Sequence, residues 1–205
     1  MTDAPPLDAG RFGPWLEQIQ AAMRGERASE VPCGTCTACC SSSQFVHIGP
    51  DENDALQHIP QELLFPAPRM PHGHVLMGYD QHGRCPMLVD ERCTIYAHRP
   101  RTCRTYDCRI FPATGTGPDD DSKALIATQA VRWRFTNNTF EDAALHHAVR
   151  AAAAYLVEHA DDLPADSAPT TATQRAVLAL HIHDAFADGR TPSPRAVEVA
   201  LSRRP

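Results

Sequence analysis

Eight cysteines are the feature that most constrains how this 205-residue chain can fold. Four fall within eight residues and four follow after a gap of 44 residues. They are Cys33, Cys36, Cys39 and Cys40 in a first cluster and Cys85, Cys93, Cys103 and Cys108 in a second. A C-x₂-C turn with small central residues lets two thiolates converge on one ion, at about 2.3 Å from each sulfur if the ion is zinc. All eight cysteines are therefore candidate metal ligands, and the spacing argues against simple buried free thiols.

The first cluster contains two C-x₂-C turns in succession, which direct three thiolates at one point, as in bacterial iron–sulfur sites. Cys39 and Cys40 are adjacent, and adjacent side chains usually point apart, so eight ligands to one ion are not expected. Two sites of four cysteines each, or one four-iron cluster with additional thiols, would both account for the set.

The metal itself is harder to choose, because iron and zinc both take thiolates. We favour an iron–sulfur cluster or iron, since the second cluster has no C-x₂-C knuckle and structural zinc sites usually draw two thiolates from each of two knuckles. Zinc, in a structural domain that mediates protein interaction, is the alternative. The iron interpretation leaves room for a redox or enzymatic role.

Charge and chain ends limit the possible partners. The formal net charge of −6 argues against nucleic-acid binding, because nucleic-acid-binding proteins usually carry a basic face. Residues 1–10 have neither a basic n-region nor an apolar h-region, and the longest apolar run, residues 151–157, is too short to cross a bilayer. We expect a cytoplasmic protein with no membrane partner, in which clustered cysteines are metal ligands or redox groups rather than disulfides.

The chain is predicted to have three parts. Residues 1–30 form an N-terminal helical segment, residues 31–112 form a cysteine-cluster metal-binding domain, and residues 123–205 form a helical region that packs on it. Residues 113–122 are predicted to be an exposed loop. The expected fold is mainly α around an irregular, loop-rich cysteine core, α+β at most, with few short strands.

Apolar residues at helical spacing predict the individual helices. They cover residues 14–23, 141–160, 173–188 and 194–203. For the last of them, Ser193 is a plausible N-cap and Pro194 suits the first helical position. Residues 124–135 fit either a helix or a strand.

The segment around the second cluster is rich in arginine. Between Arg84 and Arg109 there are six arginines and three acidic residues, although the whole chain is acidic. Metal-bound thiolates are anionic, so we interpret the excess as charge balance around them, with recognition of an anionic substrate as the alternative. Pro100 is predicted to open a short helix that runs to about Tyr106 and carries Cys103 and Arg104. Ile95 and Tyr96 are predicted to pack in the core beneath the site.

Several histidines could complete a metal site, although a lone histidine is more often a surface or hydrogen-bonding residue. Those nearest the cysteines in sequence are His47, His72, His74, His82 and His98. Neither a serine-nucleophile elbow nor a P-loop is found, so no catalytic residue is assigned and an enzymatic activity is left open. The partner is expected to be an unknown protein or a small substrate.

The cysteine pattern resembles the bacterial CxxCxxCC cysteine-cluster family, which is described as zinc- or iron-chelating. The resemblance covers residues 31–110, through the first cluster and the motifs Cys85-Pro-Met-Leu, Cys93-Thr-Ile-Tyr and Arg99-Pro-x-x-Cys103-Arg. It implies that all eight cysteines are candidate ligands. It also suggests a link to flagellin lysine N-methylases, which carry a similar motif and are thought to hold an iron–sulfur cluster. Methylase activity is not carried over, because the chain has no glycine-rich loop that would bind S-adenosylmethionine.

Overall fold

The computed structural model describes residues 4–29, 31–118, 120–163 and 168–202. Over these ranges the chain is 48% helical and 11% strand, which confirms the mainly α prediction with few short strands. The helices are α1 (Phe12–Met23), α2 (Asn53–His58), α3 (Arg101–Thr105), α4 (Ile110–Thr114), α5 (Ala124–Ala130), α6 (Phe140–Glu158), α7 (Ala172–Ile182) and α8 (Pro194–Ser202). The strands are β1 (Leu7–Arg11), β2 (Val46–Ile48), β3 (Leu64–Pro66), β4 (Val75–Met77), β5 (Leu88–Val89), β6 (Arg92–Cys93) and β7 (Trp133–Thr136). None of the helices in these ranges is both long enough and apolar enough to cross a membrane.

The chain forms two compact units. The first, here called the helical unit, combines Met1–Glu26, Cys108–Asp119 and Ala127–Pro205. The second, here called the cysteine unit, combines Arg27–Asp107 and Asp120–Ile126. Seven of the eight cysteines lie in the cysteine unit and Cys108 lies in the helical unit.

The helical unit is built around the long helix α6, which packs against α1, α4 and α7. Its alanine-rich face lets the neighbouring helices approach closely, and α7 and α8 supply larger apolar side chains. The buried cluster consists of Ala148, Ala152, Ala153, Tyr155, Leu156, Leu178, Ala179, Ile182, Phe186, Val197 and Leu201. Strands β1 and β7 pair in parallel in the same unit.

The start of α6 is fixed by polar contacts. The Thr139 hydroxyl is the N-cap and accepts a hydrogen bond from the backbone N–H of Asp142 at 3.0 Å. The buried Asp142 carboxylate in turn accepts from the backbone N–H of Gly13 at 3.0 Å and from the Arg11 guanidinium at 3.0 Å. These bonds join the first turn of α6 to the start of α1.

The predicted helices are confirmed with small shifts at their ends. Helix α7 ends at Ile182 and continues as a 3-10 turn, His183–Phe186, before the predicted end at residue 188. Ser193 caps α8 as predicted, accepting from the backbone N–H of Ala196 at 3.3 Å, and the predicted last residue, Arg203, lies outside the described residues. Residues 124–135, which fit either a helix or a strand, contain helix α5 followed by the start of strand β7.

The predicted loop begins later than the sequence suggested. Helix α4 continues to Thr114, because Phe111 and Ala113 are buried and the Thr114 hydroxyl donates to the carbonyl of Ile110 at 2.8 Å. The helix then ends at Gly115, whose φ of +71° is the left-handed conformation that glycine adopts readily. Residue 119 of the predicted loop lies outside the described residues.

The cysteine unit contains a three-stranded antiparallel sheet in the order β2-β4-β3 and the short β5–β6 hairpin. Helix α3 packs against β2, and α2 packs against the 3-10 turn Tyr96–His98. The small apolar core consists of Val46, Ile48, Ala55, Ile59, Met77 and Ile95. Cys85, Cys93 and Cys103 pack against this core, so three cysteines of the second cluster contact the same set of buried side chains.

Candidate metal centre

The first cysteine cluster is a tightly turned loop. The backbone N–H of Cys36 donates to the carbonyl of Cys33 at 3.0 Å, and Gly34 within that turn has a φ of +58° that a side chain would strain. The loop ends in a 3-10 turn, Cys39–Ser41, and the Ser42 hydroxyl donates back to the carbonyl of Ala38 at 2.7 Å. The small residues between the cysteines allow this tight turning.

A backbone hydrogen bond joins the two clusters directly. The N–H of Cys85 donates to the carbonyl of Cys40 at 2.7 Å, although 44 residues separate these cysteines in sequence. Beside it, the N–H of Ser43 donates to the carbonyl of Gly83 at 2.9 Å. The end of the first cluster is thereby held against the start of the second.

Lys123, the only lysine in the chain, supports the same place. Its ammonium donates to the carbonyls of Ser42 at 2.6 Å and Ser43 at 3.1 Å. Ser43 has a φ of +51°, an uncommon conformation for a residue other than glycine. Sequence reasoning did not find this contact, because it depends on how residues 120–126 fold against residues 27–107 of the same unit.

The second cluster is presented by two short elements. Cys93 lies in β6 opposite Leu88 of β5, and the hairpin turns at Asp90 and Glu91, whose φ values of +48° and +57° are those of a two-residue turn with both residues left-handed. Cys103 lies on α3, which confirms the predicted short helix after Pro100. Hairpin and helix therefore each contribute a thiol to the cysteine unit, and the two thiols interact.

Electrostatic interactions show which thiols lie close together. Burial is the largest cause of a pKa of about 11 for Cys40, and the neighbouring thiols of Cys85, Cys93 and Cys36 contribute to the same rise in that order of importance. Burial is likewise the largest cause of a pKa of about 12 for Cys103, with Cys40, Cys85 and Cys93 contributing to the rise. Five cysteines, drawn from both clusters, are thus brought into one group.

The same environment affects Cys85. Burial raises its pKa, while hydrogen bonds from the backbone of Met87 and Leu88 favour the thiolate and oppose that rise. In the absence of metal these burial effects hold the thiols in their protonated form. A metal ion or cluster would replace those protons with a positive centre.

Arg99 is the cation whose charge acts on this group. It lowers the pKa of both Cys40 and Cys103, against the larger effect of burial. The guanidinium carbon lies 3.6 Å from the centre of the Tyr96 ring, and Nε donates to the Tyr96 carbonyl at 2.8 Å. The backbone and the ring together hold Arg99 in place beside the thiols.

The prediction that Ile95 and Tyr96 both lie in the core is half right. Ile95 is buried, but 63% of Tyr96 is exposed. Tyr96 opens a 3-10 turn, in which residues three apart lie on one side, so its ring faces Arg99 and not the core.

Four other arginines of this segment have partners elsewhere. Three pair with carboxylates: Arg84 with Glu91, Arg101 with Asp51 and, at 4.0 Å, Arg104 with Glu52. Arg109 belongs to the helical unit, where it donates to the carbonyl of Ala9 at 3.3 Å. The predicted charge balance around metal-bound thiolates stays a prediction.

The other three predicted ligands are Cys33, Cys39 and Cys108. Cys33 and Cys39 are half-buried members of the first loop. Cys108 is 6% exposed in the helical unit, where the indole N–H of Trp133 donates to its sulfur at 3.3 Å. Their role as ligands stays a prediction from the sequence.

The donor set fits the metals that the sequence suggested. All eight cysteines lie in the described part of the chain and none of them forms a disulfide. Thiolates are soft ligands that select zinc, copper(I) and iron–sulfur clusters. The cysteine unit therefore presents candidate thiol ligands on a loop, a hairpin and a helix.

Comparison with known proteins identifies a family match for part of the chain. Neither a search of curated proteins nor a search of solved structures finds a significant match to the chain. A family model does match, over residues 32–130, which include all eight cysteines and Lys123. Residues 32–130 thus match the CxxCxxCC family model, described as a "Putative zinc- or iron-chelating domain", and the match supports metal binding by this part of the chain.

Proposed function

We propose that the cysteine unit holds an iron centre with thiolate ligands, either an iron–sulfur cluster or iron, and that this centre has a redox or enzymatic role. The observation that carries the proposal is the group of five interacting thiols: Cys36, Cys40, Cys85, Cys93 and Cys103. One tetrahedral zinc ion takes four ligands, so the group exceeds what a single zinc site uses. An iron–sulfur cluster is larger than one zinc ion, so four of these cysteines could bind it while the fifth thiol lies beside it.

The electrostatics of the group support a bound positive centre. Burial raises the pKa of Cys40 and Cys103, so thiolates at these positions would be costly without a cation close by. Arg99 supplies one positive charge, which is less than the charge of several thiolates. A metal centre supplies the remainder, and the charge of Arg99 favours thiolates at Cys40 and Cys103.

Zinc is kept as the second candidate because three cysteines are part of the structural support. Cys85, Cys93 and Cys103 pack against the core of the cysteine unit, which contains only six buried residues among those described. A zinc site there would stabilise the fold, and a chelator would unfold the unit. In that case the domain serves protein interaction and not redox chemistry.

The metal is identified by purifying the full chain without oxygen and measuring iron, zinc and acid-labile sulfide. Iron with sulfide, a brown colour and absorbance near ~400 nm would support the iron–sulfur proposal. A colourless protein with about one or two zinc ions per chain would support the zinc candidate and contradict the iron proposal. A protein that contains neither metal while its thiols remain reduced would contradict both.

A matched pair of variants links the metal to the group of five. Cys40→Ser removes a thiol that interacts with four others, and Ser41→Ala changes the next residue of the same loop without removing a thiol. We expect Cys40→Ser to lose most of the iron and Ser41→Ala to keep it. Equal metal content in the two variants would contradict the assignment of Cys40.

The partner and compartment remain part of the proposal. Clustered thiols are kept reduced in the cytoplasm, where an iron centre could act on a protein partner or a small substrate. A redox role predicts that the purified centre is reduced and reoxidised reversibly, followed by its absorbance under anaerobic titration. An absorbance that does not change on reduction would leave a structural role.

A further inference from the structure

We propose that Asp54, His58 and His98 form a second metal site on the cysteine unit, which binds a divalent transition-metal ion through nitrogen and oxygen. The site shares no residue with the eight cysteines. It is independent of which metal the cysteines hold.

The three residues come from two elements that pack together. Asp54 and His58 are four residues apart on α2, which places them on one face of the helix, and His98 ends the 3-10 turn Tyr96–His98. Each residue offers one ligand atom, and these three atoms lie within 4.8 Å of one another. Among the histidine, cysteine, aspartate and glutamate side chains of the described residues, these three have ligand atoms that all lie this close together.

The separations suit a small ion. Nδ1 of His98 lies 3.0 Å from Oδ1 of Asp54, and Nδ1 of His58 lies 3.7 Å from the same oxygen. Two ligand atoms of a tetrahedral zinc site, each about 2.1 Å from the ion, are separated by about 3.4 Å. The two distances lie on either side of that value, so these atoms already have about the spacing of ligands to one ion.

The ligand chemistry narrows the class of ion. Imidazole suits zinc, copper, iron and nickel, whereas magnesium and calcium prefer oxygen ligands alone. Two imidazoles and one carboxylate leave coordination positions open for water, as in catalytic zinc sites. The side chains are 68%, 40% and 38% exposed for Asp54, His58 and His98, so an ion could exchange with solvent.

Metal binding would change the contacts that the histidines make without metal. The rings of His58 and His98 are stacked, with centroids 3.5 Å apart and planes 4° from parallel. Parallel rings cannot both aim a nitrogen lone pair at one ion, so one ring must rotate. Nδ1 of His58 would also leave the carbonyl of Asp54, from which it lies 2.8 Å. The bound ion would then join α2 to the segment between Cys93 and Cys103.

The test uses the full chain as purified, with its cysteine centre loaded so that thiols do not compete. Co²⁺ is titrated in while calorimetry and the visible spectrum are recorded. We expect one additional Co²⁺ per chain, with a spectrum that lacks thiolate-to-cobalt charge transfer. Asp54→Asn and the double variant His58→Gln/His98→Gln should each bind this ion at least about tenfold more weakly.

The control is the double variant His72→Gln/His82→Gln, which removes two exposed histidines of the same unit. It should bind Co²⁺ as the native chain does. No additional Co²⁺ in the native chain, a thiolate charge-transfer band, or an equal loss of affinity in the control would overturn the proposal. Circular dichroism of each variant checks that it is folded, and Asp54→Asn keeps nearly the same shape as aspartate.

Discussion

The Cys103→Ser variant should release one proton fewer than the native chain when metal binds. A pH of 7 is far below the pKa of Cys103, which is about 12, and far below the pKa of Cys40, which is about 11. The ionised fractions are therefore about 10⁻⁵ and about 10⁻⁴. Each thiol that becomes a ligand must first lose its proton, so binding releases one proton per bound thiol.

The expected numbers follow from the group of interacting thiols. Cys85 also has a raised pKa, so coordination by Cys40, Cys85 and Cys103 alone should release about three protons per chain at pH 7. The apparent affinity should rise about tenfold per pH unit for each proton, or about 1,000-fold for three. Cys103→Ser should release about two protons, and its apparent affinity should rise about 100-fold per pH unit instead of about 1,000-fold.

The assay adds Zn²⁺, as a probe that any thiolate site binds, to the reduced metal-free chain in a pH-stat. Competition with a chelator at several pH values gives the affinity. Ser41→Ala, from the same loop, is the control and should match the native chain. Release of fewer than about three protons by the native chain would refute the reasoning. An unchanged proton count for Cys103→Ser would show that this thiol is not a ligand.

Three further results are expected. Thr139→Ala, which removes the cap of α6, should lower the free energy of unfolding by about 1 kcal/mol in urea titration, whereas Thr139→Ser should not; equal losses would contradict the capping role. In the metal-free chain, Cys108 should be the slowest cysteine to react with a thiol reagent, because it is 6% exposed; peptide mapping that finds it among the fastest would count against its burial. The reduced metal-free chain should also lose stability in alkali. Burial raises the pKa of Cys40 and Cys103 above the ordinary 9.0, so their contribution is fully present below about pH 9 and is lost as the pH rises toward about 11. A urea midpoint that is the same at about pH 8 and about pH 10.5 would exclude this contribution.

The amino-acid sequence alone determined what depends on neighbouring residues. Helical spacing of apolar residues predicted α1, α6, α7 and α8, because one buried face is sufficient to define a helix. The C-x₂-C-x₂-C run predicted a tight thiol-bearing loop, and the family match supports the metal binding inferred from it. Turn chemistry and helix caps are local as well, which is why Ser193 could be assigned as a cap.

Tertiary structure decided which distant residues meet. It brought thiols of both clusters close together, placed Cys108 in the helical unit and brought the charge of Arg99 to Cys40 and Cys103. It also turned Tyr96 outward and brought His98 to Asp54 and His58, which the sequence had not connected. These outcomes depend on how loops of many residues close on a small core, and sequence spacing sets no such distance. The candidate ligands were therefore predictable, whereas which of their thiols lie close together was not.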